Sequence, residues 1–343
     1  MRSVLVTGGA GYIGAHVVVA LARAGYAPFI LDNLSNASAS VQVRLERLTG
    51  AEIPLLVADV RDCGALARTL GERDVAAVVH CAGLKAVAEG EAQPLRYYDN
   101  NVGGSVALVD AMRATGVRTL IFSSSASVYG QPDRNPVTED APMRPANVYG
   151  RTKRAVELML QAEACADSSW RIALLRYFNP AGADASAAIG EAPSRAPNNL
   201  VPILAEVALG KRPLIEIYGD DYPTPDGSGV RDYIHVTDLA EGHVAALRHL
   251  ERAPGCTTLN LGLGHGASVR EVVAAFERAC GRRLRQMISG RRPGDVACYY
   301  ADPSRAQALL DWRATRELDQ ICADAWRWAS SQPSGFTARG SSR

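Results

Sequence analysis

Lysine is almost missing from this chain. Of 343 residues, 37 are lysine or arginine, yet lysine occurs only at Lys85, Lys153 and Lys211. Neither sign of charge is in excess, since 36 acidic residues leave a formal net charge of +1. With no basic stripe, nucleic acid is not an expected partner. The 7 cysteines, scattered from Cys63 to Cys322, contain no Cys-x-x-Cys pair. That pattern argues against a disulfide framework and a zinc site, and the 6 histidines add no metal-ligand spacing. No metal is expected. No apolar run reaches the roughly 18 residues needed to cross a bilayer, so no membrane is expected. The N-terminus, Met1-Arg2-Ser3-Val4-Leu5-Val6-Thr7, lacks a signal-peptide layout. A reducing cytoplasmic setting is the expectation. No internal repeat is present.

What is present is a 47% hydrophobic content, enough for a sizeable core. Ser3–Thr7 reads as a short strand. Gly8-Gly9-Ala10-Gly11-Tyr12-Ile13-Gly14 follows, and then a helical pattern through Ala24. Glycines at 8, 11 and 14 allow a tight turn, close backbone approach to a pyrophosphate, and close helix packing. The helix N-terminus then faces the phosphates. A glycine pattern alone is weak, but this one sits between a strand and a helix, where its mechanism needs it. The next strand, Pro28–Leu31, ends at Asp32, 18 residues after Gly14. A carboxylate there accepts hydrogen bonds from the ribose of NAD and repels a 2′-phosphate. A plain cap or turn role is the alternative for Asp32.

Strands and helices continue to alternate. Strands are expected over Ile53–Ala58, Ala76–His80, Thr119–Phe122 and Arg171–Arg176. Helices are expected over Arg61–Leu70, about Pro94–Thr115, and Asn147–Cys165. This spacing implies an α/β fold with a Rossmann-like, doubly wound parallel sheet. Asp59 and Lys85 fall at the carboxyl ends of strands, where ligands bind in such sheets. Residues 1–180 are expected to form the dinucleotide-binding domain. Residues 181–331 are expected to form a smaller C-terminal substrate lobe. That lobe holds helices over Val201–Leu209 and Ser268–Cys280. The chain returns to the main body near 231–262, with a helix over Thr237–Leu250 and a strand over Leu259–Gly262. Residues 332–343, rich in Gly, Ser and Arg, are expected to be disordered.

Tyr149-Gly150-Arg151-Thr152-Lys153 carries the chemistry. Tyrosine and lysine four apart share one helix face. A free tyrosine has a pKa of about 10 and is a poor base at neutral pH. A fixed ammonium nearby would favour the phenolate. Such pairs also arise by chance in helices. Here one of three lysines is kept, in a chain that uses arginine nearly everywhere else. Arginine is not an easy replacement, being a planar fork rather than a compact ammonium. A hydroxyl donor would complete the unit, and Ser123-Ser124-Ser125 ends the apolar run upstream.

The sequence resembles the UDP-galactose 4-epimerases, a family within the extended short-chain dehydrogenase/reductases, along nearly its whole length. The glycine loop and Tyr-x-x-x-Lys mark only the superfamily. More specific are Leu84-Lys85-Ala86-Val87, Tyr177-Phe178-Asn179-Pro180, Pro197-Asn198-Asn199-Leu200 and Val230-Arg231-Asp232-Tyr233. Related dehydratases and decarboxylases carry acidic residues where this chain has Ala126 and Ser127, which argues against both. The resemblance implies NAD as cofactor and reversible oxidation of UDP-glucose or UDP-galactose at carbon 4. The 4-keto sugar must turn over before it is re-reduced. The implied catalytic residues are Ser125, Tyr149 and Lys153. Implied at the cofactor are Gly8, Gly11, Tyr12, Ile13, Gly14, Asp32, Asn33, Asp59, Val60, Cys81, Ala82, Gly83, Lys85, Asn100, Ser123, Tyr177 and Phe178, beside Tyr149 and Lys153. Implied at the UDP-sugar are Asn179, Asn198, Asn199, Leu200, Tyr218, Arg231, Arg292, Asp295 and Tyr299, with Lys85, Ser125 and Tyr149. Tyr218 would stack on uracil, where some relatives have phenylalanine. Tyr299 would gate the sugar's 2-position against an N-acetyl group. Cys81 stands where relatives have an aromatic residue. A homodimer through the helices near 94–115 and 147–165 is the family's expectation. Two alternatives stay open: a 4-epimerase of another UDP-sugar (an N-acetylhexosamine, pentose or uronic acid), and a non-catalytic dinucleotide-binding protein.

Overall fold

In strand β1 (Ser3–Thr7), Val4 and Val6 face one way and Leu5 the other, and all three are fully buried. A strand buried on both sides belongs in a sheet covered by helices on both faces. The computed structural model, which describes residues 1–192, 197–292 and 294–336, has this sheet at its centre. In chain order come β2 (Ala27–Asp32), β3 (Leu55–Val57), β4 (Val75–His80), β5 (Thr119–Ser125) and β6 (Arg171–Tyr177), and much later a seventh strand, Gly255–Leu261. Across the sheet the order is Gly255–Leu261, β6, β5, β4, β1, β2, β3, and every pairing is parallel. The order reverses between β4 and β1. A ligand crevice opens at the carboxyl ends of strands at such a reversal.

One face of the sheet packs Val4, Val6, Ile30 and Val79 against Val17 and Leu21 of helix Tyr12–Arg23 and Leu239 and Leu247 of helix Val236–Leu250. The other packs Leu5, Phe29, Val78 and Phe122 against Met112 of helix Gly104–Thr115 and Val156 and Leu160 of helix Val148–Ala166. A third core around Leu204, Val272, Phe276 and Ile321 joins helices Leu200–Ala208, Val269–Cys280 and Leu318–Ser331 in the C-terminal lobe. Short strand pairs form outside the seven-stranded sheet. Tyr233–His235 lies beside Asn179–Ala181, and Val230–Arg231 beside Cys298–Tyr299. Among the described residues, no helix is long and apolar enough to cross a membrane.

The structure departs from the sequence expectations in several places, among them the strand expected over Leu259–Gly262, which begins at Gly255 and ends at Leu261. The stretch 94–115 is not one helix: a π-helical segment, Tyr98–Gly103, separates Pro94–Tyr97 from Gly104–Thr115. Asn101 within it bonds the Leu84 N–H and carbonyl and the Thr152 hydroxyl, so tertiary contacts support the bulge. β5 runs through all three serines instead of stopping at Phe122. The segment expected to be disordered is in part placed. Ser40 and Lys211 donate to the carbonyls of Phe336 and Pro333, and Arg44 covers the Phe336 ring at 5.1 Å. The rest of it, 337–343, lies outside the described residues. No expectation covered helix Leu318–Ser331, although Ile321, Ala325 and Trp328 recur at helical spacing.

Candidate active site

β1 delivers the glycine loop to the crevice. Gly8 takes φ +68, and a Cβ there would lie 2.7 Å from the Ala82 nitrogen. A Cβ at Gly14 would lie 2.2 Å from the Gly8 carbonyl oxygen. The loop therefore closes tightly on itself and on the turn Cys81–Gly83 after β4. Gly11 caps helix Tyr12–Arg23 without a side chain, leaving its first N–H groups facing the crevice. Tyr12 reaches back, its hydroxyl donating to the Gly182 carbonyl at 2.7 Å.

Asp32, at the end of β2, accepts the Ala10 N–H at 3.1 Å and the Leu34 N–H at 2.9 Å. Burial raises its pKa, and the two N–H groups oppose that shift. Asn33 donates to Asp59 at 2.9 Å, and Arg61 pairs with the same carboxylate. The Arg61 hydrogen bonds hold the Asp59 carboxyl well below its usual range. Val60 is buried beside Gly104, and Asn100 lies in the π-helical segment. A cradle that any side chain at Gly8 or Gly14 would fill, with a buried carboxylate at the next strand end, fits a dinucleotide without a 2′-phosphate.

Asn147 caps helix Val148–Ala166, its side chain accepting the Gly150 N–H, and so sets Tyr149 and Lys153 on the turns nearest the crevice. Lys153 is 5% exposed. Its Nζ donates to the Ser123 carbonyl at 2.8 Å and lies 4.7 Å from the centre of the Phe122 ring. It is 5.9 Å from the centre of the Tyr149 ring. Burial lowers Lys153 to about 8. Burial also pushes the Tyr149 phenol up, and a hydrogen bond with Ser125 alone opposes this. In the protein by itself burial sets the direction of the phenol's shift, away from the neutrality that a nearby ammonium was expected to bring. Ser123 Oγ meets Cys81 Sγ at 3.2 Å and His243 Nε2 at 3.3 Å, while Tyr177 and Phe178 close the end of β6.

Beside this crevice lies a cavity of about 410 Å³. Lys85, Ser125, Tyr149, Asn179, Asn198, Asn199, Leu200, Tyr218, Arg231, Arg292 and Asp295 all line it, as do Tyr12, Ile13, Tyr177 and Phe178. Tyr299 does not. Its ring stacks behind Phe178 at 4.8 Å, and its hydroxyl donates to the Ala126 carbonyl. Arg231 approaches Asp295 at 3.6 Å, and the Arg292 guanidinium covers the Tyr218 ring at 3.7 Å. Sequence reasoning missed Glu191, which accepts Lys85 at 3.2 Å and Asn199 at 2.9 Å. It also missed Glu216, which takes the Tyr218 hydroxyl and lies only two residues away.

The sequence profile of the NAD dependent epimerase/dehydratase family matches residues 4–262. A UDP-glucose 4-epimerase of Yersinia pestis is 51% identical over 97% of this chain and 99% of its own length. One from Bacillus subtilis is 49% identical over 97% and 98%. Among solved structures, the UDP-glucose-4-epimerase of Stenotrophomonas maltophila, with bound NAD and formylated UDP-arabinopyranose, superposes with TM-score 0.96 at 47% identity, covering 97% of this chain and 99% of that one. That of Bifidobacterium longum, in complex with NAD+ and UDP, gives 0.94 at 46% identity, covering 98% and 100%. The glycine cradle, the Tyr149–Lys153 face and these likenesses agree: the chain belongs to the NAD dependent epimerase/dehydratase family and, within it, to the UDP-glucose 4-epimerases.

Proposed function

We propose that the chain interconverts UDP-glucose and UDP-galactose by NAD-dependent oxidation and re-reduction at carbon 4. The observation that carries this reading is the meeting of two spaces. Ser125 and Tyr149 line the cavity, and Lys153 reaches from the same helix to the carbonyl of Ser123 in the cofactor crevice. In this reading the Tyr149 phenol oxygen takes the proton of the sugar's 4-hydroxyl, directly or through Ser125 Oγ. Lys153 holds a positive charge beside it. NAD, when bound, would supply the hydride acceptor for the oxidation and the hydride donor for the re-reduction. Asp32 holds the ribose and turns away a 2′-phosphate.

Epimerisation needs a firm hold on UDP and a loose one on the hexose. Arg231 and Arg292 are the diphosphate donors, since planar guanidinium groups give several directed hydrogen bonds. Tyr218 is the uracil platform, with Asn179, Asn198, Asn199, Leu200 and Asp295 around it. The helical segments within 94–115 expose Leu95 (83%), Tyr98 (40%) and Val106 (42%), and helix Val148–Ala166 exposes Leu158 (49%), which supports a homodimer there. Exposed free thiols at Cys63 and Cys165 suit a reducing cytoplasm.

The test is turnover of UDP-galactose with the UDP-glucose formed oxidised by a coupling dehydrogenase. Tyr149→Phe should retain NAD and bind UDP, yet lose roughly 10²–10⁴ in kcat. Wild-type protein without turnover, or Tyr149→Phe within about tenfold of wild type, refutes the reading.

A further inference from the structure

Glu157 is a carboxylate with no exposure at all. It lies one turn past Lys153 and two past Tyr149, on the same face of helix Val148–Ala166. A charge so buried must be paired. Arg176, 2% exposed near the end of β6, supplies the pair, with Nε 2.9 Å from Oε1 and Nη2 2.5 Å from Oε2. The remaining Arg176 donors go to the Tyr129 hydroxyl at 2.9 Å, the Glu139 carbonyl at 3.1 Å and Met143 Sδ at 3.1 Å, and Tyr129 in turn donates to Asn260 at 2.7 Å. By itself this would be a scaffold cluster. One more bond carries it into the site: Ser124 Oγ donates to Glu157 Oε1 at 2.5 Å. Side chains alternate along a strand. Ser124 thus points to the helix face, while Ser123 Oγ meets His243 on the opposite face and Ser125 lines the cavity.

We propose that Glu157 is a positioning residue for the proton-transfer pair. By tying Ser124 to the helix that carries Tyr149 and Lys153, it fixes how far Ser125 stands from the phenol. The inference rests on the roles given above to Ser125, Tyr149 and Lys153. Glu157 has a second action on the same helix. The groups facing Lys153 are Tyr149 and Glu157 from its own helix, and His80 and Cys81 from the end of β4. Burial works against the ammonium, while Cys81 and then Glu157 favour it, and of these two Glu157 is the carboxylate.

Two variants separate this role from a structural one. Ser124→Ala deletes the single hydrogen bond and leaves the ion pair intact. Glu157→Gln keeps the shape and removes the charge. Misplacement of a reacting group by about 1 Å costs up to about a hundredfold in rate. The expected losses in kcat are about tenfold for Ser124→Ala and about a hundredfold for Glu157→Gln, with KM for UDP-galactose and the bound NAD content within about twofold of wild type. The alkaline limb of kcat/KM should move to lower pH in Glu157→Gln and stay in place in Ser124→Ala. Ser124→Ala with kcat within about twofold of wild type overturns the inference, as does a change confined to KM. If Glu157→Gln fails to fold, the Ser124→Ala kcat still decides. An active wild type with a dead Tyr149→Phe and a fully active Ser124→Ala sinks this inference alone, whereas an inactive wild type overturns both readings.

Discussion

Gly14→Ala and Gly11→Ala form a pair whose outcomes should differ in kind. A methyl at Gly14 would sit 2.2 Å from the Gly8 oxygen and 2.7 Å from the Gly9 Cα, both backbone atoms. Ordinary carbon–oxygen contacts begin near 3.3 Å, so helix Tyr12–Arg23 must retreat by about 1 Å. Gly8 cannot yield instead, because its own Cα already faces the Ala82 backbone with no room for a methyl. Overpacking of this size costs about 1–3 kcal/mol and lowers Tm by a few degrees in a chain this long. The retreat also withdraws the helix N–H groups that face the crevice. At Gly11 the protein itself needs to yield by only about a tenth of an ångström. The nearest atom is the Gly8 oxygen at 3.2 Å, and the backbone, at φ −78, is one any residue adopts. What a methyl there obstructs is the approach of a pyrophosphate.

Gly14→Ala should therefore lose both stability and NAD, and Gly11→Ala should lose NAD while the cofactor-free protein melts within about 2 °C of wild type. The assay is thermal melting of cofactor-stripped protein, beside chromatography of the nucleotide released from the purified variant. A Gly14→Ala protein with wild-type melting and full NAD refutes the close-contact argument. A Gly11→Ala protein that still carries NAD refutes the assignment of this loop to the pyrophosphate.

Further outcomes follow from the same geometry. Denaturing the purified protein should release NAD and not NADP, because the Asp32 carboxylate stands at the ribose end of the crevice; recovered NADP would sink that argument. Lys153→Arg should lose most of its turnover while the fold, read by circular dichroism, is retained; near-wild-type activity would show that a compact ammonium is not needed. The kcat/KM profile should fall above about 8, where Lys153 gives up its proton, and a flat profile to pH 10 would contradict this, the upper limit being the ordinary tyrosine value of about 10. Tyr299 stands outside the cavity but packs against Phe178, which lines it, and so limits the space beside the sugar: wild type should turn over UDP-glucose and UDP-galactose but little UDP-N-acetylglucosamine, and Tyr299→Cys, by letting Phe178 move back, should admit the N-acetyl sugar. Equal wild-type turnover of both classes, or no gain in the variant, would show that Tyr299 does not set the sugar pocket.

What was legible in the sequence was local. The strand, glycine loop and helix over Ser3–Arg23 show themselves because spacing and backbone freedom act within a few residues. Tyr149 and Lys153 were legible for the same reason. Glu157 offered the same signal, one turn further along the helix, but a glutamate at that spacing is ordinary until Arg176 and Ser124 are seen against it. Glu191 gave no signal, since it joins Lys85 and Asn199 across a sequence separation of 106 on one side and a loop on the other. Tyr299 was placed on the cavity wall by resemblance, yet its position follows from the pairing of Cys298–Tyr299 with Val230–Arg231, which turns the ring behind Phe178. The phenol's acidity was misjudged because a lysine four residues away says nothing about how much water either group has lost.

That loss of water accounts for the lysine at position 153. Its Nζ sits in a slot between the Ser123 carbonyl at 2.8 Å, the Phe122 ring, and Gly83, where even a methyl would come within 3.6 Å of it. A guanidinium needs a plane of space and brings five donors to a place with one good acceptor, so it would leave buried N–H groups unpaired. An ammonium fits the slot, and its pKa can be moved by burial, which a guanidinium's cannot. The same burial that lowers Lys153 to about 8 raises Tyr149, so both side chains are pushed toward their neutral forms in the protein alone. Charge separation between them is then favoured only once further charge and hydrogen-bonding groups arrive in the crevice and the cavity. A chain that uses arginine at nearly every other basic position has a lysine where size, and the freedom to hold or release a proton, both matter.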